Sequence, residues 1–221
     1  MAAPPSPPPH LPSSVYSLDD GASAGTGAGA SAVAGVVDAV AASAAGAASG
    51  AGAGAETGAR RGAISWDHYF MSVAYLAAQR SKDPSTQVGA CVVDALRRVV
   101  SVGYNGFPSG CSDAELPWAR EAASPLDTKY PYVVHAEANA LLNASGGAPA
   151  LRGCALYVAL FPCCECAKLI IQAGIREVVY HCDKYHDTVP MVAARRMFAL
   201  AGVATRQFSP PAAQLVINFA Q

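Results

Sequence analysis

His135-Ala136-Glu137 and Pro162-Cys163-Cys164-Glu165-Cys166 hold the side chains of this sequence best suited to chemistry. Zinc takes imidazole and thiolate donors in a tetrahedron. Cys163 and Cys166 stand at i and i+3 of an expected helix, so both sulfurs can point to one side. Pro162 sits just before that helix, where its missing N–H matters little. A helix start offers free N–H groups and partial positive charge, which favour the thiolate that a metal requires. His135 opens a second expected helix. If the two helix starts face each other across the ends of a sheet, His135, Cys163 and Cys166 supply three ligands. The fourth position then stays open for water, the layout of a catalytic rather than a structural zinc. Glu137 is too close to His135 to be an easy fourth ligand and is better placed to move a proton between water and a substrate nitrogen. A lone Cys-x-x-Cys is often half of a structural zinc site or a redox pair, and a lone His at a helix start is usually a cap. It is the combination that points to catalysis.

Several elements must position these residues. Residues 66–80 carry Phe70, Val73, Ala74, Ala77 and Ala78 at helical spacing, with Ser65 as the cap. Residues 87–94 and 97–104 read as two strands joined at Ala95-Leu96 in a hairpin. An irregular stretch then runs from Asn105 to about Val133, long enough to be functional in its own right. Helices near 135–143, 163–174 and 188–202 alternate with strands near 154–160 and 176–181, and one or two short strands follow Gly202. Strands alternating with helices after a hairpin predict an α/β fold, a mixed sheet with helices on both faces.

Composition separates this region from what precedes it. Hydrophobic residues make 52% of the 221 residues and charged residues only 14%, against about 25% charged in an average chain. No Lys or Arg occurs before Arg60, and the only acids there are Asp19, Asp20, Asp38 and Glu56. Residues 1–63 are rich in Pro, Ala and Gly and read as a disordered extension. The Ala-rich run from Ala28 to Ser49 is a poor membrane span, since Asp38 sits in its middle with no Leu, Ile or Phe to offset it. An organellar transit peptide should be Arg-rich and poor in acids, the opposite of this segment until Arg60 and Arg61. From Ile64 onward 13 basic residues face 12 acids, a formal +1. That balance argues against a nucleic-acid or anionic-membrane partner. The seven Cys are odd in number and clustered, and no secretory signal is visible. A reducing, cytoplasmic setting is expected, with the cysteines serving metal or catalysis.

The chain resembles the deoxycytidylate deaminase family within the cytidine deaminase superfamily. The resemblance rests on SKDPSTQVGACVV at 81–93, GYNGFPSGCSD at 103–113, LPW at 116–118, KYPYVVHAEANALLN at 129–143, LYVALFPCCECAKLIIQAGI at 156–175 and DKYHD at 183–187. The His-x-Glu and Pro-Cys-x-x-Cys order is itself a known zinc deaminase signature. The longer strings are more specific than that signature alone. The resemblance implies a three-layer α/β/α sandwich around a five-stranded mixed sheet over residues 64–221. It implies hydrolysis of dCMP to dUMP and ammonia with one catalytic Zn²⁺ per subunit, supplying thymidylate synthesis. It further implies a homo-hexamer activated by dCTP and inhibited by dTTP, with Mg²⁺ accompanying that nucleotide.

Carried over by position, His135, Cys163 and Cys166 match the zinc ligands and Glu137 the proton shuttle. Asn105 matches the position that hydrogen-bonds the sugar; an Asn-Gly pair also favours tight turns. Ser81, Lys82 and Tyr185 fall near the expected 5′-phosphate, and each would equally serve as a surface or turn residue. Cys164 departs from the family's usual Asn and lies about 100° around the helix from Cys163, away from the metal. No extra His-Cys pair occurs in the 105–113 loop, so a second zinc is not expected. The nearest rival is a deaminase of another free cytosine nucleotide or nucleoside. A nucleic-acid cytidine deaminase would need a basic, aromatic-lined channel, and a non-catalytic zinc protein would have no use for Glu137.

Overall fold

The computed structural model describes residues 62–220. The extension expected over 1–63, with its Ala-rich run, lies outside the described residues up to position 61. Helix α1 (Trp66–Ala78) begins as expected, with the Ser65 hydroxyl accepting from the His68 N–H at 3.2 Å. Strands β1 (Gly89–Val93) and β2 (Val99–Tyr104) follow. Helices α2 (Ala136–Leu142) and α3 (Ala148–Leu151) lead to β3 (Ala155–Leu160). Then come α4 (Cys164–Gln172), β4 (Glu177–Cys182), α5 (Val189–Ala201) and β5 (Ala204–Gln207).

The five strands form one sheet in the order β2-β1-β3-β4-β5. β1 runs antiparallel to both β2 and β3, while β3, β4 and β5 run parallel. The mixed sheet is therefore a hairpin joined to two strand–helix–strand crossovers through α4 and α5. Alternate side chains sort to opposite faces, as the pleat requires. Ala90, Val92, Leu156, Val158 and Val178 meet Ala136, Ala140, Ala167, Ile170, Ala194 and Phe198 of α2, α4 and α5 on one face. Cys91, Val93, Tyr157 and Val179 meet Phe70, Met71 and Ala74 of α1 on the other. The result is the expected three-layer α/β/α sandwich. Two glycines set the helix heights. A Cβ at Gly89 would lie 1.9 Å from the Ala74 carbonyl oxygen, and one at Gly103 would lie 2.2 Å from the Ala140 nitrogen. Both helix backbones thus press onto the hairpin.

Two local expectations need correction. The hairpin does not turn on Ala95-Leu96 alone. The connection spans 94–98, the Asp94 carboxylate accepts from the Leu96 and Arg98 N–H groups, and Arg97 takes φ 63°. An Asx-type turn has replaced a two-residue one. The one-turn α3 was also not anticipated, because four residues starting Ala-Pro are too few to show a period. Among the described residues, no helix is long and apolar enough to cross a membrane.

Candidate metal and proton-transfer site

The parallel strands deliver the chain to the pocket. β3 ends at Leu160, and Cys163 then caps α4; His135 caps α2 in the same way. Ser, Thr, Asp and Asn are the residues that normally hold such positions. Neither His135 nor Cys163 makes a side-chain cap bond. Two helices have given up a stabilising cap, and the side chains so released turn toward each other. This is the kind of local rule that proteins break at functional sites.

The His135, Cys163 and Cys166 donor atoms all lie within 4.8 Å of one another. The His135 Nδ1 is 3.5 Å from the Cys163 Sγ and 3.4 Å from the Cys166 Sγ. Zinc at about 2.3 Å from sulfur and about 2.0 Å from nitrogen, in tetrahedral array, separates N and S by about 3.5 Å. The donor set and its spacing therefore fit zinc. Cys163 is the residue before α4 and not within it, yet its sulfur still shares a side with that of Cys166, one turn on. Cys164, in contrast, donates its thiol toward the Glu165 carboxylate at 3.7 Å.

Protons occupy the trio in a definite pattern. The Cys163 thiol is drawn down to about 4, first by a hydrogen bond from Cys166 and then, against burial, by His135. Its hydrogen bond to Cys163 raises His135 to about 9, with Glu137 adding to the rise. Cys166 is pushed well up, because it donates to Cys163 and is buried. The most readily ionised sulfur thus lies between two hydrogen-bond donors, and a divalent cation can replace those protons.

Glu137 lies in the first turn of α2, only 5% exposed. Burial raises its pKa, His135 opposes that rise, and Cys166 hydrogen-bonds to its carboxyl. A carboxyl poised this way can hold a proton and also give it up.

The other expected site residues lie apart from this trio. Asn105 is buried, and protein groups meet both its amide hydrogens and one lone pair of its oxygen. Its Oδ1 accepts from the Val88 N–H at 2.8 Å, and its Nδ2 donates to the Thr86 carbonyl at 2.9 Å and the Asp83 carboxylate at 3.3 Å. Gly106 next to it pairs with Val134, the residue before His135. The Ser81 hydroxyl accepts from the Asp83 N–H at 3.3 Å. Lys82 is exposed and paired with Asp113 at 2.5 Å. Tyr185 is half-buried beneath the Lys184 ammonium.

Sequence reasoning passed over two features. One is Asp83, buried and ion-paired with buried Lys129 at 2.6 Å. The other is Arg195, whose guanidinium lies 4.4 Å over the Phe161 ring and ion-pairs with Asp183, bracing the approach to Cys163. Asp83 and Lys129 are 46 residues apart; no periodicity reports such a pair.

Comparison with known proteins agrees with this geometry. A family model described as the cytidine and deoxycytidylate deaminase zinc-binding region matches residues 64–182. The deoxycytidylate deaminase of Mus musculus is 58% identical over 156 residues, 71% of this chain and 86% of that protein. That of Homo sapiens is 57% identical over the same shares. Among solved structures, dCMP deaminase from the cyanophage S-TIM5, in complex with dCMP and dUMP, is similar with a TM-score of 0.50. It is 28% identical, and the match covers 63% of this chain and 94% of that one.

Proposed function

The chain belongs to the cytidine and deoxycytidylate deaminase family, and from that premise we propose that it hydrolyses dCMP to dUMP and ammonia. The observation that carries this reading is the His135 Nδ1 lying 3.5 and 3.4 Å from two cysteine sulfurs, with a buried carboxyl one helical step away. The substrate is supported by relatives at 57–58% identity that bear the name deoxycytidylate deaminase.

His135, Cys163 and Cys166 would hold Zn²⁺, which would supply a Lewis acid that makes water nucleophilic at neutral pH. Glu137 carries the protons. It takes one from the attacking water and places it on N3 of the cytosine as the water oxygen bonds to C4. It then passes the second proton to the 4-amino group, the C4–N bond breaks, and ammonia departs. Two thiolate ligands would blunt the acidity of such a cation, so Glu137 serves as a separate base. Asn105 binds the sugar, while Ser81, Lys82 and Tyr185 lie toward the 5′-phosphate.

The same reading has the product supply thymidylate synthesis. It includes a homo-hexamer activated by dCTP and inhibited by dTTP with Mg²⁺, the 105–133 segment being the place for that nucleotide. A cytoplasmic setting accords with seven free cysteines.

The test is ammonia release from dCMP, cytidine, dCTP and guanine, with dCMP assayed with and without added dCTP. Turnover of dCMP well above the other substrates is expected. Preference for cytidine or guanine would overturn the substrate assignment, and no response to dCTP would overturn the regulation.

A further inference from the structure

Asp83 is 3% exposed and Lys129 is 6% exposed. The Lys129 ammonium donates to both Asp83 oxygens, at 2.8 and 2.6 Å. The same carboxylate accepts from the Ser85 and Thr86 N–H groups at 2.8 and 3.1 Å and from the Asn105 amide at 3.3 Å. Every part of this cluster bears on Asn105. Thr86, whose N–H is held by Asp83, takes the other amide hydrogen of Asn105 on its carbonyl.

The chemistry of an amide makes this consequential. Asn has two N–H donors and two acceptor lone pairs on one oxygen. Asp83 and Thr86 consume both donors, and the Val88 N–H consumes one lone pair. One lone pair of Oδ1 is the remaining capacity of the side chain. Asn105 is therefore set to recognise a hydroxyl donor and not an acceptor.

We infer that Asp83 and Lys129 are positioning residues that lock the Asn105 amide with an acceptor on offer, and that this acceptor receives the sugar hydroxyl of the substrate. The inference rests on the proposed role of Asn105 in sugar binding. A 2′-deoxynucleotide with its 5′ oxygen phosphorylated has one sugar hydroxyl left, at the 3′ carbon, so that group is the donor. Lys129 comes from the 105–133 segment, and its carbonyl accepts from the Tyr132 and Val133 N–H groups, both at 3.0 Å. The pair thereby also ties that segment to the backbone that enters His135.

The experiment compares kcat/KM for dCMP and for its 2′,3′-dideoxy analogue in the full-length zinc enzyme and in the Asn105→Ala and Lys129→Met variants. The wild type should favour dCMP by about 10-fold, the worth of one well-made hydrogen bond. Asn105→Ala should bring that preference to near unity. Lys129→Met should do the same, losing about 10-fold more on dCMP than on the dideoxy analogue. If Lys129→Met does not accumulate as folded protein, Asp83→Asn combined with Lys129→Met leaves no buried unpaired charge and takes its place. Full preference retained in the Lys129 variant, or an equal loss on both substrates, would overturn the positioning role and leave the sugar reading standing. Full preference retained in Asn105→Ala, or none in wild type, would overturn the sugar reading itself.

Discussion

The His135–Cys163–Cys166 pocket draws its side chains from the starts of two helices, whereas the Asp83–Lys129 cluster gathers its members from two irregular segments, one before β1 and one after β2. The first is contiguous in sequence logic. Cys163 and Cys166 are a helical turn apart, and Glu137 follows His135 by two residues on α2. The second joins positions 83, 105 and 129 by side-chain hydrogen bonds alone. The pocket brings two sulfurs and an imidazole nitrogen within 4.8 Å of one another, close enough to share one cation. The Asp83 carboxylate meets five hydrogen bonds and nothing in it is left over. Donor atoms that converge on one point can take up a cation, and a carboxylate engaged by five hydrogen bonds holds shape.

That contrast can be broken most severely at His135. His135→Ala should lose the metal and with it all activity above background, because a tripod with two remaining legs binds zinc far less tightly. Elemental analysis showing full zinc occupancy would end the ligand assignment. Glu137→Ala should keep its zinc and lose between about 10²- and 10⁴-fold in turnover, the range for a positioned proton carrier. A near wild-type rate would move the proton carrier elsewhere. Together the two variants separate holding the metal from moving the proton.

Lys129→Met tests the other region. Removing one partner of a buried pair typically costs about 3–5 kcal/mol, and Asp83 would lose the ammonium that meets both its oxygens. Denaturant unfolding of the full-length protein should show a loss of about 3–5 kcal/mol. A change below ~1 kcal/mol would place the pair with ordinary surface ion pairs and erase the contrast between the two regions.

How much of this was legible beforehand follows the same division. Helix α1, β3, α4, β4 and α5 repeat a hydrophobic period over enough residues to be recognised. The pocket was legible because zinc chemistry restricts ligand types, and because a helical turn brings i and i+3 together. The Asp94 turn was missed because the Asp94 carboxylate, which accepts from two backbone N–H groups, helps to hold it in place of a dipeptide of turn residues. Lys129 was legible as the first residue of a family string but not as the buried partner of Asp83. Burial made it important, and burial of a lone Lys within an irregular segment leaves no period to read.

The smallest effect belongs to a carboxylate outside both regions, and it calibrates the buried pair. Asp67 on α1 accepts from Arg206 on β5 at 2.8 and 3.1 Å and from the Tyr157 hydroxyl at 2.7 Å. Burial alone would raise its pKa, but hydrogen bonds from Arg206 and then Tyr157 hold it below the ordinary value of 3.8. A depressed carboxylate contributes stability that is present above its unfolded pKa and lost as pH falls through the folded one. At 36% side-chain exposure, solvent screens it, so Asp67→Asn should cost under ~1 kcal/mol at pH 7. Urea midpoints for wild type and variant should differ above about pH 5 and draw together on acidification through 3.8 and below. A gap that stays constant into acid would mean that shape, not charge, makes Asp67 matter. The outer clasp would then work as the Asp83 cluster does.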